Sequence, residues 1–67
     1  MFVISEANPS GYAARRTKTN NIRDIYDIVL NITGSESEAE WAVETSGDMG
    51  FGGQIERTRY SLECVRE

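Results

Sequence analysis

The alternation of apolar and polar positions divides the chain into six segments. "FVISEA", residues 2–7, opens with aromatic and β-branched residues, the composition of a short strand. In "NPSG", Pro9 presets the φ of a turn's second position, Asn8 suits the first, and Gly11 can take the left-handed conformation that closes a bulged hairpin. A second strand is then expected through "YAARRT", residues 12–17, antiparallel to the first. "TNNIRDIYDIVLNITG" carries the clearest helical period. Its apolar residues fall at Ile22, Ile25, Tyr26, Val29 and Ile32, with Ile28 and Leu30 beside them, which is a wide buried face. Asn20 or Thr19 suits the N-cap, Asp24 the positive end of the helix dipole, and Gly34 the position just past the end. The β-branched content lowers intrinsic helicity, so packing must hold this helix.

"GSESEAEWAVETSGD" predicts a second helix directly after. Ser35 and Glu38 have capping-box spacing, Ala39, Ala42 and Val43 form a narrow apolar stripe, and Ser46-Gly47-Asp48 ends it. "MGFGG", residues 49–53, reads as a connector anchored by Met49 and Phe51. "QIERTRYSLECVRE" reads as a hairpin with a strand over Gln54–Glu56, a turn near Arg57–Arg59 and a strand over Tyr60–Val65. The order ββααββ predicts an α+β fold: a small antiparallel sheet of three to four strands with both helices on one face. Leu62, with either Tyr60 or Cys64, should face the helices from the last strand. Ile4 and Phe2, or Val3 in the alternative register, should do so from the first, because a one-residue slip exchanges the faces.

The succession of a hairpin, a helix ending in "ITGS", an acidic second helix and a closing "GFG" with a β segment resembles short uncharacterised open reading frames of phage and mobile-element type. That class shares no activity, so the resemblance implies an accessory or regulatory protein and assigns no residue.

Composition narrows the chemistry. At 67 residues the chain is read as one domain, 1–67, near the size at which a single core becomes hard to stabilise. A hydrophobic fraction of 39% beside 27% charged residues fits a folded chain better than a disordered one. No apolar run approaches the ~20 residues that cross a bilayer, and "MFVISEANPSG" lacks the basic and apolar regions of a secretory signal, so a cytoplasmic location is expected. With one cysteine and no histidine, the chain cannot form an internal disulfide, a structural zinc site, or a Cys–His or Ser–His–Asp nucleophile. Cys64 reads as a small buried residue. "GFGG" lacks the lysine and helix of a phosphate loop, so its glycines are read as turn formers. The expectation is a non-enzymatic protein without cofactor or metal.

Charge carries the functional signal. Residues 15–23 hold Arg15, Arg16, Lys18 and Arg23 and no acid, whereas residues 24–56 hold eight acids and no base. In the second helix Glu36, Glu40 and Glu44 recur every four residues and form one negative ridge beside Trp41, an aromatic of the kind enriched at binding hot spots. The first functional reading is therefore a protein-binding surface of Glu36, Glu40, Trp41 and Glu44 that meets a basic partner; the plainer reading of these residues is a solvated helix face with Trp41 folded back onto the core. The alternative is a nucleic-acid grip by Arg15, Arg16, Lys18 and Arg23, with Tyr12 stacking on a base. A net charge of −4 opposes it, and charges on an edge strand also discourage unwanted strand pairing. Alternation along a strand lets Arg16 and Lys18 share a face but sets Arg15 on the other. A third arrangement is a homo-oligomer, a homodimer first, in which the basic edge of one copy meets the acidic helix of another.

Overall fold

The computed structural model describes residues 1–7 and 13–66; the expected "NPSG" turn and Tyr12 lie outside the described residues. The elements run β1 (Phe2–Ala7), β2 (Ala13–Thr19), α1 (Ile22–Thr33), α2 (Glu36–Asp48), β3 (Gln54–Glu56) and β4 (Tyr60–Cys64). The four strands form one antiparallel sheet in the order β2-β1-β4-β3, and the two helices pack on one of its faces. The α+β architecture read from the hydrophobic pattern is the one observed.

Register decides which side chains face the helices. Phe2 pairs with Cys64, Ile4 with Leu62 and Glu6 with Tyr60, while Ile55 lies opposite Leu62 and Thr17 opposite Ile4. These residues share the helix-facing side. Tyr60, Leu62 and Cys64 are all buried on it, whereas the sequence pattern alone leaves a choice between Tyr60 and Cys64. No helix covers the opposite face, although Val3 is buried there between its cross-strand neighbours Lys18 and Glu63. This face carries Arg16 and Lys18, then Val3 and Ser5, then Ser61 and Glu63, then Gln54 and Glu56.

The two helices do different work in the core. Ile25 and Val29 of α1 supply aliphatic bulk against Ile4, Tyr60 and Leu62, and all five are at most 1% exposed. α2 offers only Ala39, Ala42 and Ser46 as buried residues, so its backbone can approach closely. The Ser46 hydroxyl is satisfied in place, donating to the Ala42 carbonyl oxygen at 2.7 Å.

Helix ends follow local chemistry. Ser35 caps α2 by accepting from the Glu38 amide. Gly34 ends α1 at φ 70°, its N–H donating to Leu30 O at 2.7 Å. Asn21, rather than Asn20 or Thr19, caps α1 and accepts from the Arg23 amide. β2 runs on to Thr19, whose hydroxyl instead donates to the Asp24 carboxylate at 2.7 Å and so ties the strand end to the first helical turn. Met49 packs against the core, but Phe51 does not and is 63% exposed. The reason is a tight turn in which Gly53 N–H donates to Gly50 O with Gly52 at φ 86°. Phe51 occupies the corner of that turn and projects outward, with the Arg66 guanidinium 5.1 Å from its ring centroid.

Two substitutions test this division of labour by urea denaturation. Leu62→Ala removes the centre of the core and is expected to cost about 2–5 kcal/mol. Gly34→Ala places a side chain at positive φ and is expected to cost about 1 kcal/mol, with the urea dependence unchanged.

Candidate functional site

The packed α1–α2 pair leaves a groove along its outer surface. Tyr26 and Val43 form its apolar lining, Asp27, Glu40 and Glu44 supply carboxylates, and Arg23 stands among them. The groove encloses about 580 Å³. The lining follows from helix geometry: Tyr26 and Val43 lie on the flanks of the two apolar stripes, where side chains are half-buried, and the next residues outward are charged. Burial, and after it the charges of Glu36, Glu40 and Asp27, push the Tyr26 phenol above its ordinary range. The groove therefore couples an aromatic surface to a concentrated negative field.

Of the residues proposed for protein binding, Glu40 and Glu44 line this groove, and Glu36 acts on the same tyrosine. Trp41 lies elsewhere. It packs against the core on the flank of α2 that faces the β3–β4 turn, and the Arg57 guanidinium covers its ring at 4.3 Å from the centroid. Arg57 also makes a fork with Glu38, Nε donating to Oε1 at 2.8 Å and Nη2 to Oε2 at 3.1 Å. The aromatic beside the acidic ridge is thus Tyr26, from the neighbouring helix. Its position on the rim of the α1 stripe was visible in the sequence, but the setting of α2 against α1 was not.

Under this cover Tyr60 is buried with its hydroxyl lacking a hydrogen-bond partner. Both oxygens of the nearby Glu38 carboxylate are engaged by Arg57. Burial, and then the charge of Glu38, push the Tyr60 phenol up to about 12.

The basic residues do not converge. Arg16 and Lys18 stand together on the open face of the sheet, opposite Ser5 and Val3. Arg15 lines a separate cavity on the helix-facing side with Ile28 and Ile32, and Arg23 stands in the acidic groove. Among the described residues the open face carries no aromatic side chain on which a base could stack. No helix among the described residues is long and apolar enough to cross a membrane.

No protein-family model matches the chain, and comparison with curated proteins and with solved structures finds no significant similarity to either.

The Tyr60 phenol supplies a pH test. A group held neutral in the folded state contributes its stability in full below the ordinary pKa of 10.0 and loses it as pH rises toward about 12. Urea midpoints measured across this alkaline range should fall for the wild type and fall less steeply for Tyr60→Phe. At neutral pH that variant should be close to wild type, because it removes a hydroxyl that has no partner.

Proposed function

We propose that this chain is a small non-enzymatic binding domain whose contact surface is the α1–α2 groove. Its partner is a protein that presents a basic segment with an apolar side chain. The observation that supports this reading is the pairing of the Tyr26–Val43 surface with the carboxylates of Asp27, Glu40 and Glu44 around one groove. Aromatic and aliphatic area supplies affinity when desolvated, and complementary charge supplies orientation and association rate. A groove between two packed helices suits an amphipathic helix laid along it, with one apolar residue against Tyr26 and lysines or arginines on either side. Arg23, at its place within the groove, gives the surface a direction, since an acidic residue of the partner fits only there.

The dispersal of Arg15, Arg16, Lys18 and Arg23 over three surfaces counts against a single phosphate grip. Only Arg16 and Lys18 remain as a pair for backbone contacts, which suffices for weak salt-dependent attraction alone.

The test is a backbone-amide NMR titration with two designed helical peptides of the same apolar residues, one lysine-rich and one glutamate-rich. The lysine peptide should perturb Tyr26, Asp27, Glu40, Val43 and Glu44, and bind about tenfold more weakly at high salt. Glu40→Lys combined with Glu44→Lys should abolish binding, while Arg16→Glu with Lys18→Glu should leave it intact. Equal binding of the two peptides would end this reading. Perturbation by a single-stranded oligonucleotide centred on Arg16 and Lys18, lost in their charge reversal, would install the nucleic-acid reading in its place.

A further inference from the structure

A second cavity lies on the far side of α1 from the acidic groove, between that helix and the β1–β2 end of the sheet. It is lined by Ile4, Glu6, Arg15, Thr17, Ile28, Asn31 and Ile32 and encloses about 280 Å³. Its floor is aliphatic: Ile4 is buried, and Ile28 and Ile32 of α1 are half-buried. Its polar groups are of four kinds, a carboxylate, a guanidinium, a hydroxyl and an amide. Ligand sites characteristically combine an apolar lining with a few convergent polar groups, and this volume falls just below their usual range, which limits the occupant to a small molecule.

The backbone places the two charges here. β1 and β2 keep a regular register from Phe2↔Thr19 to Ser5↔Arg16, and the next pair is Ala7↔Ala13. One residue of β1, Glu6, therefore opposes two of β2, Ala14 and Arg15. Such a bulge redirects side chains and recurs beside binding and active sites. Glu6 and Arg15 line the same cavity, yet no ion pair joins them, and the ion pair found among the described residues is Arg57–Glu38. Each charge is thus open to a ligand.

We infer that this cavity binds a free α-amino acid with an aliphatic side chain. The guanidinium of Arg15 takes the α-carboxylate, the carboxylate of Glu6 takes the α-ammonium, and Thr17 and Asn31 supply neutral hydrogen bonds. The side chain lies on Ile4, Ile28 and Ile32. Arg15 is exposed and Glu6 half-buried, so a ligand bearing only one charge forgoes one of the two charge-assisted contacts while water keeps the other protein charge, and recognition is tightest when both termini are present.

The experiment follows isoleucine methyl resonances of the full chain while L-leucine, leucinamide and N-acetyl-leucine are added in parallel. L-leucine should shift the Ile4, Ile28 and Ile32 methyls saturably. Leucinamide, which lacks the carboxylate, and N-acetyl-leucine, which lacks the ammonium, should each bind at least about tenfold more weakly. Arg15→Met and Glu6→Gln should each weaken L-leucine by a similar factor while leaving the Tyr26 and Val43 resonances of the other groove in place. The absence of saturable methyl shifts would overturn the proposal, as would N-acetyl-leucine binding as tightly as leucine, which would instead mark a site for peptide C-termini. The ligand comparison uses the wild-type chain, so it decides the matter even if a variant fails to fold.

Discussion

The antiparallel pairing of β1 with β4 is the contact on which the other elements depend. It joins strands from opposite ends of the chain at the middle of the sheet, and its central pair, Ile4 with Leu62, is almost completely buried. β2 can attach to β1 as a hairpin and β3 to β4 in the same way, but neither two-stranded unit has a face large enough to stand alone. Only when β1 and β4 meet does a four-stranded surface exist for Ile25 and Val29 to cover. Closing so long a loop is entropically costly and is repaid only by the packing it permits, which makes β1–β4 docking the step most exposed to sequence change.

That constraint explains the contrast between the helices. α1 carries the aliphatic bulk, whereas α2 approaches through Ala39, Ala42 and Ser46. A helix with so narrow a buried stripe keeps most of its circumference at the surface, and in this chain that circumference is acidic. Like charges at Glu36, Glu40 and Glu44 weigh against the helix. The Ser35 cap, the acidic residues in the first turn and the Arg57 fork on Glu38 offset this. None of these compensations engages Glu40 or Glu44.

Local signals in the sequence carried the element order, the ends of both helices at Gly34 and Ser35, and the alternation that separates Arg15 from Arg16 and Lys18. Each depends on neighbours within a few residues. What could not be read locally was set by distant contacts. The β2-β1-β4-β3 order requires knowing that two distant strands meet. Trp41 looked like the aromatic partner of the acidic ridge because it is adjacent in sequence, yet a step of one residue turns a side chain by about 100° around the helix axis. That rotation carries it to the β3–β4 turn, where Arg57 waits, and Tyr26 of α1 stands by the ridge instead. Phe51 departs from the hydrophobic pattern for a different reason, since hydrophobicity alone does not reveal that a turn corner points outward.

The same reasoning separates linear from spatial charge. In the sequence, four basic residues within nine positions suggest one patch. In space a strand splits Arg15 from Arg16 and Lys18, and the entry into α1 carries Arg23 to the acidic groove. The acids behave oppositely, because a helix gathers every fourth residue and a neighbouring helix adds Asp27 to the set. Strand geometry disperses a run of charge over two faces and helix geometry collects a periodic one. The negative ridge survives folding as a surface, and the positive run becomes three separate local features.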